Sequence, residues 1–412
     1  MKMATTTPPL TIGLADILAA RERVRGSIYY SPCPHSVMLS GLTGQQVYLK
    51  LENLQMTGSF KERGALNRIA QLTPEQAARG VITASAGNHA QGVAHHATKR
   101  GIPAIIVMPV TTPLVKVTAT RGFGAEVHLH GGNFEEAYTE AMRLCAEQGL
   151  TFLHAFDDPA VIAGQGTIGL ELLEQIPQLE AVVAPIGGGG LISGIACAIK
   201  ETNPAIRIVG VQAARLPSMV AAVEAHHPVT IERATTIADG IAVRRAGTLT
   251  LPMVERYVDE IVTVDEDEIA AAILVLLERE KTLAEGAGAA ALAALLQQKT
   301  SLGGVNTAVL VCGGNIDVTL LARIIERGMV QDGRMVRLRI TLLDKPGALA
   351  ELTRLIAAER ANVVDILHNR AYYGVNLGNT MTDVTLETRG PEHIVELLAA
   401  LTAAGYEHTR VL

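Results

Sequence analysis

The sequence predicts an α/β fold, with two lobes built on mostly parallel sheets and a smaller βαββαβ domain after them. Three observations predict it. Short apolar runs alternate with amphipathic helical stretches from about residue 47 to residue 312. Glycine-bearing turns recur where a run ends and a helix begins. After about residue 328 the order of elements changes, and the chain reads as a separate unit.

Residues 12–26 read as a surface helix, followed by the loop Ser31-Pro32-Cys33-Pro34-His35. The run 47–52 alternates apolar and polar residues as a strand does, Thr57-Gly58-Ser59 supplies turn and cap residues, and 60–72 reads as a helix. Apolar runs at 80–83, 104–108 and 125–129 are then separated by helical stretches near 88–100, 113–121 and 133–148. The series resumes with a helix at 160–176, a buried strand at 181–185, a helix from about 191 and a strand at 206–212. Helices near 265–280 and 286–298 and a strand at 308–312 complete it. This order implies a region 1–327, with a small lobe of about 48–150 inserted in a large one and the ligand crevice between them.

Residues 328–335 read as a linker. The domain at 336–412 follows, as a strand at 336–342, the turn Asp344-Lys345-Pro346-Gly347 and a helix at 348–359. Strands at 363–370 and 381–388, a helix at 391–404 and a short strand at 408–412 finish the split βαβ pattern. It carries no nucleophile–base pair and no metal cluster, so it reads as regulatory.

With 412 residues the chain is long enough for two or three domains. A net charge of -6 with both signs interspersed argues against nucleic acid or an anionic membrane as partner. Cys33, Cys145, Cys197 and Cys312 show neither a disulfide framework nor zinc-ligand spacing, which fits a reducing cytoplasm. Residues 1–10 lack the pattern of a signal peptide. The uncharged stretch 181–199 is broken at its middle by Pro185 and by the glycines from Gly187 to Gly190, so a buried strand, loop and helix is expected there in place of a membrane span.

Lys61 falls in the first turn of the 60–72 helix, where the macrodipole disfavours a cation and lowers the amine pKa. That suits a Schiff-base lysine. Ser85-Ala86-Gly87-Asn88-His89 joins a strand end to a helix start and forms a ready anion site, with the Asn88 amide able to donate to an oxygen on a cofactor. Gly187-Gly188-Gly189-Gly190-Leu191 lets backbone amides wrap a phosphate. It departs from dinucleotide and Walker spacings, so a monophosphate fits better. Cys312 closes another strand, and Glu285 opens an alanine-rich helix. Each segment alone has an ordinary structural reading, as a solvated lysine, an N-cap turn, a flexible loop, a buried thiol or a capping carboxylate. Their combination is what pyridoxal phosphate needs.

These residues resemble the serine/threonine dehydratases of the fold-type II pyridoxal-phosphate enzymes, over about residues 15–325. The tail, with Asp344-Lys345-Pro346-Gly347 and Ala361-Asn362-Val363, is similar to a single ACT domain. The resemblance implies pyridoxal 5'-phosphate bound covalently through Lys61, with Phe60, Asn88, Glu285 and Cys312 around it and Gly187, Gly188, Gly189, Gly190 and Leu191 at its phosphate. It implies an amino-acid substrate held by Ser85, Ala86, Gly87, Asn88 and His89. The expected reaction is α,β-elimination of threonine to 2-oxobutanoate and ammonia, with serine giving pyruvate. An amino-acid effector is expected near Asp344, Pro346 and Gly347, together with a homodimeric or homotetrameric assembly.

Alternatives remain at this point. Similar racemases carry a second serine where this chain has Ala86, and a methyl group cannot donate a proton; this speaks against a serine racemase or a hydroxyaspartate dehydratase. A β-replacement enzyme would share the lysine and the glycine cup, and a non-enzymatic amino-acid sensor would need only the tail. Gln212 and Ala213 offer no carboxylate where relatives often bind a cation, so no metal is expected.

Overall fold

A computed structural model describes residues 12–369, 376 and 378–411. The expectation for residues 1–10 lies outside this range, as do Arg370 and Leu412 at the expected ends of two strands. The chain forms two compact units, Met1–Ile316 and Asp317–Leu412.

Among the described residues, ten strands of the first unit make two sheets. They are β1 (His35–Ser36), β2 (Gln46–Leu51), β3 (Val81–Ala84), β4 (Ala104–Met108), β5 (Glu126–Leu129), β6 (Thr151–Phe152), β7 (Ala181–Pro185), β8 (Arg207–Ala213), β9 (Glu260–Val264) and β10 (Asn306–Val311). The smaller sheet has the order β5-β4-β3-β6 and is wholly parallel. Its central strands, β3 and β4, are buried on both faces. Val81, Ile106 and Met108 pack with Ala90, Val93, Ala97 and Val117 of the helices Asn88–Lys99 and Leu114–Gly122. Ile82, Ala84 and Val107 point the other way, onto Ala137 and Ala141 of the helix Phe134–Gln148.

The larger sheet has the order β1-β2-β10-β7-β8-β9, with only β1 antiparallel to its neighbour. The uncharged stretch is the buried strand β7, a glycine loop and the helix Gly190–Lys200, as expected. Among the described residues, no helix is long and apolar enough to cross a membrane.

The strand expected to open the small lobe belongs elsewhere. β2 pairs in parallel with β10 in the large sheet, so the small sheet spans only 81–152. Alternation marks a strand but says nothing of its distant partner. β9, a half-buried edge strand, is absent from the expectation although Ile261-Val262-Thr263-Val264 are all β-branched. The region read as ending at 327 with a linker at 328–335 is also different. A helix covers Val318–Gln331 and belongs to the second compact unit, and a strand begins at Met335. Gly328 is tolerated inside that helix as a buried residue.

In the second unit β11 (Met335–Leu343), β12 (Asn362–Asn369), β13 (Asn379–Glu387) and β14 (His408–Arg410) form an antiparallel sheet of order β12-β13-β11-β14. Val336, Leu338, Ile340 and Leu342 alternate onto one face and pack with Leu352, Ile356, Leu397 and Leu401 of the helices Ala348–Ala358 and Pro391–Ala403. Asp344, Pro346 and Gly347 follow β11. The Asp344 N–H donates to the Gly378 carbonyl at 2.8 Å, and Gly347 caps the Ala348–Ala358 helix at φ +90°.

Candidate active site

A cavity of ≈ 1390 Å³ opens within the first unit, at the carboxyl ends of β3, β7 and β10. Lys61, the run from Ser85 to His89, the run from Gly187 to Leu191, Glu285 and Cys312 all line it, together with Phe60. Residues 31–35 do not line it. Ser31 is buried instead and donates to Glu52 at 2.6 Å, in a network outside the cavity.

Lys61 opens the helix Lys61–Ile69, with Phe60 as its N-cap residue. The preceding turn is stitched to the end of β10, since the Phe60 N–H donates to the Cys312 carbonyl at 3.1 Å and the Gly314 N–H to the Gly58 carbonyl at 2.9 Å. Lys61 is thereby set beside Cys312. Its Nζ donates to the Ala155 carbonyl at 3.0 Å and sits 5.2 Å from the centre of the Phe60 ring. Burial holds the amine down at about 8, while Cys312 and Glu285 pull it weakly upward. The cause is thus desolvation, where the sequence pointed to the helix dipole.

Asn88 starts the helix Asn88–Lys99. Its Nδ2 donates to Glu285 Oε1 at 2.7 Å, and its Oδ1 accepts from Asn315 Nδ2 at 2.8 Å. Burial, reinforced by Asp239, raises Glu285 to about 7. Burial also raises the Cys312 thiol well above its ordinary value, with Glu285 adding to it, so the sulfur stays protonated. His89 is buried and held neutral, at about 3, by burial first and Lys61 second. The carbonyl of Leu153 lies 3.1 Å from its Nε2, which therefore carries the proton.

The glycine run is shaped by its neighbours. Gly189 has φ +100°, a left-handed conformation that favours glycine, and a Cβ there would strike Met219 and Thr250. A Cβ on Gly188 would overlap the Phe156 ring. The Gly188 carbonyl accepts the Thr250 hydroxyl at 2.6 Å, which fixes the loop from behind. Ahead of it, the first N–H groups of the Gly190–Lys200 helix have no acceptor within that helix. Backbone donors, a helix N-terminus and side-chain-free walls together form a cradle for a phosphate.

Further residues at the cavity gave no local signal. His154, Ala155, Phe156 and Asp157 form one wall. The Asp158 N-cap and Pro159 after it were a readable helix start, but nothing local marked the four residues before them. At the mouth, Glu135 binds Arg233 at 2.6 Å and Arg244 at 2.7 Å, and Lys116 binds Asp239 at 2.5 Å. These pairs join small-lobe helices to the loop 230–245. His128, His130 and Glu140 also approach within 4.8 Å of one another, but none lines the cavity and both Glu140 oxygens are held by Arg143 at 2.7 Å.

Residues 24–313 match the model of the pyridoxal-phosphate dependent enzymes. The chain belongs to that family. Residues 336–403 match the ACT domain. The chain is 49% identical over 396 residues to the L-threonine ammonia-lyase of Thermotoga maritima, covering 96% of this chain and 98% of that one. Among solved structures, maize serine racemase matches with a TM-score of 0.73 at 34% identity, over 77% of this chain and 98% of that chain. The processed form of threonine deaminase isoform 2 from Solanum lycopersicum matches with 0.72 at 36%, over 79% of this chain and 99% of that chain. The cavity fits the cofactor of this family. It holds one lysine tuned toward neutrality, a glycine loop packed so closely from behind that Gly188 and Gly189 have no room for a Cβ, a buried thiol and a half-buried amide.

Proposed function

We propose that this pyridoxal-phosphate-dependent lyase is a threonine ammonia-lyase that converts L-threonine to 2-oxobutanoate and ammonia, and L-serine to pyruvate. The observation that carries the reading is Lys61, brought to about 8 in a cavity whose other wall is the glycine cradle. The full-length similarity to an L-threonine ammonia-lyase supports threonine as the substrate.

Lys61 would hold the cofactor, with Gly187 to Leu191 at its phosphate, Asn88 and Glu285 at its ring edge and Cys312 at its ring nitrogen. When bound, the cofactor supplies an electron sink for the bond broken at Cα. The N–H groups from Ser85 to His89 bind the substrate carboxylate at the start of the Asn88–Lys99 helix. Lys61 Nζ, whose neutral form burial makes far more accessible than in a solvated lysine, takes the Cα proton. Cys312 would face the cofactor's ring as a neutral thiol, a weak acid partner that would moderate the electron sink and favour loss of a β-leaving group. Ala86 lines the cavity without a proton to give, which favours one-sided elimination.

A racemase is the second reading, favoured by the similarity to maize serine racemase. The second unit, matching the ACT domain, would bind an amino acid near Asp344, Pro346 and Gly347 and bias activity. We place the enzyme in the cytoplasm as a homodimer or homotetramer; four free cysteines suit that compartment.

The test is ketoacid formation from threonine and serine by the purified full-length protein, with and without isoleucine and valine. Turnover without an added nucleophile supports elimination. Product formed only with sulfide or indole would make the protein a β-replacement enzyme, and D-serine formed at a rate comparable to pyruvate would make it a racemase. Ketoacid formation unchanged by any amino acid would remove the regulatory role.

A further inference from the structure

His154 in the cavity wall directs one ring nitrogen to the backbone. Its Nδ1 accepts the N–H of Phe156 at 3.2 Å and that of Asp157 at 2.8 Å. A nitrogen that accepts two N–H groups carries no proton, so the ring is the neutral tautomer protonated on Nε2. Phe156 braces it edge-on with centroids 4.6 Å apart, and Phe152 with centroids 6.3 Å apart.

The turn closed by this ring makes three contacts with the site. The Ala155 carbonyl accepts from Lys61 Nζ. The Phe156 ring fills the space that a side chain on Gly188 would take, and the Phe156 backbone does the same at Gly190. Asp157 accepts the N–H groups of Thr248 and Leu249 at 2.9 Å each, tying the turn to the large-lobe segment behind the glycine cradle.

We propose that His154 is a positioning residue: its Nδ1, by gathering two N–H groups, holds the 154–157 turn so that Ala155 meets Lys61 while Phe156 backs the phosphate cradle. The proposal rests on the cavity being the pyridoxal-phosphate site. It assigns His154 no contact with the reacting atoms. Protonation of Nδ1 removes both bonds at once. Burial opposes that protonation most, and the Lys61 charge opposes it too, while Asp157 and Asp158 favour it.

The test compares His154→Asn, whose amide oxygen can replace Nδ1 as acceptor, with His154→Leu, which has no acceptor. Amide hydrogen exchange across 154–158 is measured on the cofactor-free protein, and the pyridoxal-phosphate dissociation constant by absorbance titration. We expect His154→Leu to speed exchange and weaken cofactor binding by about tenfold or more, and His154→Asn to stay within about threefold of wild type in both. Acid weakens cofactor binding in both proteins by protonating Lys61; the wild type should lose a further increment as its His154 ring protonates, and His154→Asn should lack that increment. Equal impairment of the two variants, or wild-type exchange and affinity in His154→Leu, would overturn the proposal. A wild type that binds no pyridoxal phosphate would overturn the reading of the cavity instead, and the exchange comparison would still judge His154.

Discussion

Asn88 Nδ2 donates a 2.7 Å hydrogen bond to Glu285 Oε1, joining the first residue of a small-lobe helix to the N-cap of a large-lobe one. The bond spans the cavity with a carboxyl that burial has raised to about 7. A raised carboxyl favours the fold while protonated. Its contribution is complete below the ordinary value of 4.5 and is lost as pH rises through about 7. Glu285→Gln should therefore stabilise the cofactor-free protein above neutrality, by on the order of 2 kcal/mol, and the gain should vanish in mild acid. Urea unfolding at a series of pH values checks this; a gain independent of pH would point to packing in place of charge.

Lys61 offers a second titration. A buried amine brought down to about 8 is nucleophilic where ordinary lysines are protonated. Borohydride trapping of an aldehyde on the cofactor-free protein should label Lys61 with a midpoint near 8, against 10.5 for a solvated lysine. Peptide mapping reads the site. Lys61→Ala should lose the label, the bound-cofactor absorbance and turnover while keeping its melting temperature, and retained turnover would remove the lysine from the chemistry.

Lys61, Asn88, the glycine run and Cys312 were legible because each lies at a strand end or helix start, where a few neighbouring residues set the local backbone. The partners of those residues were not. Glu135 finds Arg233 and Arg244 about a hundred positions away, with nothing in either segment to announce the other. The βαβα order was readable from short apolar runs, yet β2 joined the large sheet through β10, a pairing that alternation cannot specify. Desolvation of Lys61 was equally invisible, since it comes from walls contributed by both lobes.

The Glu135 pairs to Arg233 and Arg244 cross the cavity mouth at 2.6 and 2.7 Å, but all three side chains are substantially exposed. Their worth to global stability is small, at most about 1 kcal/mol. Their worth to the mouth is larger, because they hold the 230–245 loop against the small lobe. Glu135→Ala should raise KM for the amino acid by about three- to tenfold with the melting temperature nearly unchanged. Steady-state kinetics at two ionic strengths checks the cause: added salt should raise KM in the wild type and leave the variant's KM unmoved.

Two residues beyond Lys61, Arg63 is fully buried among charges. It binds Glu52 through Nε at 2.7 Å and Nη2 at 2.8 Å, and Glu171 through Nη1 at 2.6 Å and Nη2 at 2.9 Å. Lys50 binds the same Glu171 carboxylate at 2.5 Å. Burial by itself would raise Glu52, yet Arg63 outweighs it and holds the carboxyl below its ordinary value. A lowered carboxyl stabilises the fold above its ordinary pKa and stops doing so as acid protonates it. Arg63→Ala leaves Glu52 without its guanidinium and should cost about 3–5 kcal/mol at neutral pH. That loss should shrink in acid, where protonated Glu52 no longer needs a cation. Arg63→Lys keeps the charge but not the planar fork that reaches two carboxylates, so it should recover only part of the loss. Denaturant titrations of the three proteins at neutral and acidic pH decide it, and an Arg63→Ala penalty unchanged in acid would show the network to be held by packing, not by charge.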